Sequence, residues 1–442
     1  MLNNWQRAEF VPLKYSLLVM WCTLLIFLLG PINWFTEWTL SEYTTIFLLI
    51  AYFTAFALGY LLRSHRSHQA TVKKIITAQQ DEAANSTWRK IINVTIFINL
   101  VLVFCNALLY SSTASLSELF DKAAEGLVAP GSIYYEKDAS SRNNSIIVWI
   151  TLLYSPLMYI TTVASIYFFR SLSKLRKVCV LATFVIEITR WLSIGTNKGL
   201  FDIVLLFITY FLILKIQFHC QPPEKRKERK KKIRKLSIIV VVSVVLFFLF
   251  FNFAVSSRTA GKYNPEHFKD FPYNLVPQNL RFFVEKAVSY LVQGYSNMNK
   301  IIKNCDFQWT FGIGNSRFLM QITEQVFGID LTASTYPYQL AAYGVHPLVS
   351  WHSAYSWFAS DLTFWGVIFL MFFAGYYMCS LVDDIITKAD PISMTLFYLM
   401  IMMVSNASCT NYVLAYSNSF VAFTALFFIR FLRVKRIRFV IR

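Results

Sequence analysis

Runs of about twenty apolar residues recur along the whole chain, and that length is what a helix needs to cross about 30 Å of hydrocarbon. They fall near 13–30, 43–62, 91–111, 146–169, 178–194, 200–219, 237–255, 356–382, 391–409 and 413–432. Of the 442 residues, 56% are hydrophobic and 15% charged, too apolar a balance for a soluble protein of this size. The expected fold is an all-α polytopic integral membrane protein of about ten transmembrane helices. One large polar loop, containing short interfacial helices, separates the seventh span from the eighth. The division is therefore 1–255 (seven spans), 256–355 (loop) and 356–442 (three spans and a basic tail). The first span reads as an anchor, because Gly30-Pro31-Ile32-Asn33-Trp34 follows it with no small-residue cleavage pattern.

Charge placement gives the orientation. With a cytoplasmic N-terminus, about 29 of the 42 bases fall in inside segments, as the positive-inside rule requires. The C-terminus is then also cytoplasmic and the large loop faces out. The turn holding Asp383, Asp384, Lys388 and Asp390 is the exception, being an inside segment with net negative charge. A formal net charge of +18 raises nucleic acid as a partner. Sorting by side removes it, since outside segments balance acids such as Glu118, Asp121, Glu125, Glu136, Asp138, Glu266 and Asp270 against their bases. The run Lys225–Lys235 then reads as a topology anchor touching anionic membrane lipid.

Seven cysteines form no CxxC pair, with Cys305 and Cys409 the one pair able to meet outside, and six histidines form no zinc-spaced cluster. Neither a P-loop nor GxGxxG occurs, so no metal and no nucleotide cofactor is expected.

Two outward-facing stretches carry candidate chemistry. In Glu187-Ile-Thr-Arg190-Trp-Leu-Ser-Ile-Gly195-Thr-Asn-Lys198-Gly199-Leu-Phe-Asp202, an arginine inside a span precedes a tight turn and a new helix. That helix start, with Lys198 beside its amides, suits an anion. Intraspan arginine costs about 2.5–3.5 kcal/mol and calls for a partner or a wet cavity. Glu187, three residues earlier, is the simplest partner for Arg190, and Asp202 can similarly be a helix-start acid complementing the dipole. Arg258 stands just past the outer end of the seventh span, so Arg190, Lys198 and Arg258 share a depth where a lipid phosphate would lie. The loop then offers a helix over 279–294, with Leu280, Phe283, Val284, Ala287, Val288 and Leu291 on one face and Arg281, Glu285 and Gln293 away from it. It closes on His346-Pro-Leu-Val-Ser-Trp351-His352-Ser-Ala-Tyr355 and Asp361, residues suited either to sugar binding or to an interfacial aromatic belt.

On Gly195-Thr-Asn-Lys198-Gly199, Tyr290-Leu-Val-Gln-Gly294-Tyr295, Phe311-Gly-Ile-Gly314, Trp351-His-Ser-Ala-Tyr355 and Asp361-Leu-Thr-Phe-Trp-Gly366, the chain resembles the bacterial oligosaccharide repeat-unit polymerases, the Wzy or O-antigen polymerase family. Asn197-Lys198 stands where that family more often has Ser-Arg, which keeps the charge and loses the bidentate fork. The resemblance implies a metal-independent glycosyltransferase at the periplasmic face of the bacterial inner membrane, making lipopolysaccharide or a related polysaccharide. It would transfer a growing glycan from undecaprenyl diphosphate onto a lipid-linked repeat unit. Arg190, Lys198 and Arg258 would bind the diphosphate. His352, with His346 second and Asp361 third, would activate the acceptor hydroxyl. Expected partners are undecaprenyl-diphosphate-linked oligosaccharide, a chain-length regulator and a flippase. An O-antigen ligase acting on lipid A core shares the layout, and a lipid-linked oligosaccharide flippase is the alternative from another class.

Overall fold

The computed structural model describes residues 2–35, 37–77, 82–133, 146–220, 223–259, 261–347 and 349–440, with the side chains of 2–7, 67–77, 82–86, 220, 223–229 and 434–440 set aside. Charge assignments on Arg7, Lys73, Lys74, Glu136, Asp138, the run 225–229, Lys435, Arg436, Arg438 and Arg442 lie outside the described residues or side chains. The main helices are α1 (Leu2–Leu29), α2 (Leu40–Thr77), α3 (Glu82–Ser111), α4 (Leu116–Val128), α5 (Ile146–Tyr167), α6 (Lys174–Ser193) and α7 (Lys198–Cys220). They continue with α8 (Pro223–Thr259), α9 (Gln278–Asn304), α10 (Arg317–Phe327), α11 (Ala354–Lys388), α12 (Pro391–Asn406) and α13 (Ser417–Val440). Among the described residues there is no strand.

Among the described residues seven helices, α1, α2, α3, α5, α7, α8 and α11, are long and apolar enough to cross a membrane, which fits an all-α polytopic membrane protein. The other three expected spans also form helices, with a different character. Helix α6 carries Lys174, Arg176, Lys177, Glu187 and Arg190. Helix α12 has 16 residues, about 24 Å of rise. Helix α13 brings Arg430 and Arg433 into its second half.

The chain folds into two compact units that interleave along the sequence. The first comprises Met1–Lys74, Tyr263–Asp383 and Leu399–Phe420; the second comprises Ile75–Lys262, Asp384–Tyr398 and Val421–Arg442.

In the first unit, α2 and α11 touch backbone to backbone. A Cβ on Gly59 would lie 1.9 Å from the Phe372 carbonyl oxygen, and one on Gly375 would lie 2.0 Å from that of Phe56. Small residues at both positions permit the approach. Helix α9 enters the same core. It continues ten residues beyond the expected 279–294, and every residue from Gly294 to Asn299 is buried. Tyr295 hydrogen-bonds Thr23 at 3.1 Å, Thr45 donates to Asn299 Oδ1 at 3.0 Å, and Asn299 Nδ2 donates to Glu42 at 2.9 Å. The buried face of its first half is only partly the expected one, which shares Val288 with it. Phe282, Glu285 and Val288 point in, whereas Leu280 is exposed. Glu285 is buried because three donors await it: the Asn264 amide at 2.7 Å, His267 Nδ1 at 2.9 Å and Lys286 Nζ at 2.9 Å. Burial raises its pKa, and the bonds from Lys286, the Asn264 amide and His267 outweigh that and hold it below the ordinary carboxylate range.

Helix α11 is broken at Thr363, whose backbone is left-handed (φ 61°). Its hydroxyl accepts from Gly366 N at 3.3 Å, capping the continuing helix, and Tyr52 donates to the Phe364 carbonyl at 2.8 Å.

In the second unit, α3 packs on α5 and α6 through Ile92, Ile96, Ala164, Phe168, Cys179 and Val180. Amphipathic α4 starts at a Ser115–Glu118 capping pair and rests Gly126 over the last turn of α6, where a Cβ would meet the Leu192 carbonyl oxygen at 2.0 Å. The acidic turn after α11 is matched by neighbouring bases. Asp383 pairs with Arg63 at 3.1 Å in the first unit; Asp384 pairs with Arg430 at 2.7 Å and Asp390 with Arg433 at 3.7 Å in the second.

Candidate functional site

Each unit holds one constellation of candidate residues. In the second unit, α6 ends in a turn over Ile194–Asn197 and α7 begins at Lys198. The turn needs Gly195 in the left-handed region (φ 62°), and Thr196 N closes it onto the Trp191 carbonyl at 3.1 Å. Gly199 is required for a different reason, since a Cβ there would lie 1.8 Å from the Trp191 ring.

Trp191 forms the floor of the cluster. The Arg190 guanidinium lies 4.4 Å from its ring centroid and Lys198 Nζ lies 5.3 Å from it, both within cation–π range. Tyr110 from α3 also receives Arg190, at 5.5 Å. Glu187 accepts from Arg190 and, at 2.8 Å, from Trp191 Nε1; Lys198 pairs with Asp202 at 2.7 Å. Arg258, in the last turn of α8, donates to the Gly195 carbonyl. The structure thus brings Arg190, Lys198 and Arg258 to one turn, as their sequence positions imply. Several buried polar atoms beside them, Arg190 Nε, Thr196 Oγ1 and Asn197 Oδ1, have no hydrogen-bond partner among the described residues. Three cations gathered at a helix start, with open polar atoms on Arg190, Thr196 and Asn197, can receive a phosphate and the polar groups attached to it. A cleft of about 280 Å³ lined by Arg89, Tyr167, Gln217 and Lys232 lies at the opposite end of α7 and takes no part in this cluster.

In the first unit, residues 351–354 are clamped from two sides. Asn297 donates to the Trp351 carbonyl at 2.7 Å, Trp351 N donates to Gln293 at 3.3 Å, and Ala354 N donates to the Ala407 carbonyl at 2.9 Å. Gly294 lets α9 pass, since a Cβ would lie 2.2 Å from the Ser408 carbonyl oxygen and 2.5 Å from Ser353 N. His352 is held in the middle, 2% exposed, and neither ring nitrogen has a hydrogen-bond partner among the described residues. Burial, with Lys300 and His346 adding like charge, pushes its pKa down to about 4. Its imidazole is therefore neutral near pH 7, with one nitrogen able to donate and the other to accept. His346 lies further out, its ring 6.2 Å from that of Tyr338.

Asp361, considered as a base or as the group orienting a histidine, takes its hydrogen bonds from residues other than histidine. Its carboxylate accepts from Thr310 Oγ1, from Gly312 N at 2.9 Å, Gly314 N at 3.3 Å and Asn315 N at 2.8 Å, and from Asn315 Nδ2 at 2.8 Å. Five donors from one loop occupy it, so it positions that loop.

Trp191, Thr196, Asn197 and Lys300 were not anticipated as members of these constellations. The signal for Trp191 is Gly199, a glycine in the first turn of a helix where no positive φ requires one. Comparison of the chain with family models, with curated proteins and with solved structures gives no match.

Proposed function

We propose that the chain is a metal-independent glycosyltransferase of the bacterial inner membrane, polymerising oligosaccharide repeats carried on a lipid diphosphate. The observation that carries this reading is the gathering of Arg190, Lys198 and Arg258 around one turn, with unsatisfied polar atoms beside them. In this reaction the acceptor hydroxyl oxygen bonds to the anomeric carbon of the donor glycan. The bond from that carbon to the diphosphate oxygen breaks, and undecaprenyl diphosphate leaves with the electron pair. Cations already in place stabilise that charge more in the transition state than in the ground state. The reading assigns Arg190, Lys198 and Arg258 to the diphosphate and the neutral His352 imidazole to the proton of the acceptor hydroxyl, with His346 second. Pairing of the acidic turn with Arg63, Arg430 and Arg433 supports cytoplasmic termini and an outward α6–α7 turn.

The test is polymer formation in a strain lacking the gene. The deletion strain is expected to display core plus one repeat, and the wild-type chain to restore the ladder. Arg190→Ala and Arg258→Ala, at equal membrane abundance, are each expected to reduce polymer about 10- to 100-fold, the loss of one charge-assisted contact. Arg190→Ala, Arg258→Ala and His352→Ala all giving wild-type ladders would remove this assignment. Loss of every repeat from the core in the deletion strain would make the enzyme a ligase.

A further inference from the structure

The loop held by Asp361 is built to display two aromatic rings. Thr310 is fully buried, while Trp309 and Phe311 on either side of it are 61% and 66% exposed. Their ring centroids lie 4.7 Å apart. Phe311 adopts a left-handed backbone (φ 55°), a conformation that an aromatic residue takes only when its surroundings impose it. Those surroundings are the buried carboxylate of Asp361 and the amides of Gly312, Gly314 and Asn315. Gly314 has no room for a side chain, since a Cβ would lie 2.2 Å from Thr310 Oγ1. A charged group, backbone strain and an obligatory glycine thus converge on a loop whose rings pack mainly on each other.

What the rings face follows from the helix that carries Asp361. Leu362 follows Asp361 partly exposed, and beyond the break at Thr363, α11 shows Trp365, Phe369 and Phe373 at helical spacing, each more than half exposed. These residues lie in a helix long and apolar enough to span the membrane, and such a stripe has acyl chains as its natural solvent. Trp365 also meets Phe47 of α2, at 6.0 Å between ring centroids, and Phe47 is itself more than half exposed. The exposed stripe begins at Trp365, just past the break at Thr363, and the loop is bound to Asp361, four residues before it, so its two exposed rings stand beside the start of that stripe. Tryptophan with an apolar body and one N–H donor is suited to the membrane–water interface.

We propose that the 309–315 loop is a membrane-interface anchor: Trp309 and Phe311 insert at headgroup level, and Asp361 is the positioning residue that holds them there. The partner is the lipid surface, independent of the reaction assigned above.

The full-length chain is reconstituted in phosphatidylcholine vesicles with bromine on the shallow acyl carbons. The signal of Trp309 is taken as the difference in tryptophan fluorescence between wild type and Trp309→Phe. Loss of most of that difference signal in brominated vesicles, with little quenching by aqueous iodide, is the expected result. Asp361→Asn, which replaces an acceptor oxygen by an amide facing the loop's N–H groups, is expected to restore emission in brominated lipid and admit iodide. A Trp309 signal indifferent to brominated lipid and open to iodide overturns the proposal. So does one that responds to an added oligosaccharide and not to lipid, which would make the rings a glycan platform. If Asp361→Asn does not accumulate, the wild-type and Trp309→Phe pair still decides the question.

Discussion

Asp361 and His352 lie a short way apart on the chain, in the same compact unit and both buried, yet their polar atoms are treated in opposite ways. Asp361 commits both oxygens to five donors of a single loop. His352 has two ring nitrogens and no hydrogen-bond partner for either among the described residues. Buried polar groups are nearly always satisfied, so this unsatisfied pair inside a tightly clamped segment is the exception that sets His352 apart. The saturated carboxylate marks the reverse, a group whose interactions are complete without any ligand. Residue type alone made both candidates for acid–base chemistry; occupancy separates them.

The largest expected effect breaks the comparison on the Asp361 side. Asp361→Ala leaves the Thr310 hydroxyl, three loop amides and the Asn315 amide without their acceptor. At about 1–3 kcal/mol for each buried donor, and allowing for water reaching part of the loop, the loss is about 5 kcal/mol. Thermal unfolding in detergent micelles measures it. A loss below about 1 kcal/mol would mean the loop does not depend on this carboxylate.

The pH dependence of stability sharpens the His352 side. The unfolded imidazole titrates near 6.5, and in the folded chain burial, with Lys300 and His346, pushes it down to about 4. Protonation therefore favours the unfolded chain. The stabilising advantage of the neutral ring is complete above about pH 7 and is lost as pH falls from 6.5 toward 4, approaching about 3 kcal/mol. His352→Leu removes both the titration and the two unsatisfied nitrogens. At pH 7 it is expected to unfold within about 1 kcal/mol of wild type, and to show a flatter loss of stability toward pH 4. Equal slopes in the two proteins would show that His352 does not titrate across this window.

The same contrast explains what the sequence made legible. Transmembrane helices follow from apolar length, a local property, and Arg190, Lys198 and Arg258 could be placed at one depth by counting along spans. Failures came where a residue's role depends on partners from distant segments. Glu285 sits on the buried face of α9 because Asn264 and His267 meet it there, and helical periodicity carries no trace of either. The break in α11 falls at Thr363 without glycine or proline to announce it; a hydroxyl cap and a bond from Tyr52 on another helix stabilise it. Trp191 was hidden for a related reason, since an aromatic near a helix end reads as part of an interfacial belt until Gly199 is seen to make way for it.

The smallest expected effect returns to the loop that Asp361 holds. The left-handed backbone of Phe311 costs about 1–2 kcal/mol of strain, and glycine would adopt the same angles without it. Against that stand the greater chain entropy of glycine, about 0.5–1 kcal/mol, and the contact with the Trp309 ring. Phe311 is mostly exposed, so little else is lost, and Phe311→Gly is expected to change micellar stability by about 0.5 kcal/mol or less, in the stabilising direction. Near-neutral stability together with weaker retention of Trp309 in brominated lipid would separate the ring's role at the membrane surface from any role in folding. Destabilisation of about 2 kcal/mol or more would instead make Phe311 a packing residue, and the strain at its backbone a by-product of that packing.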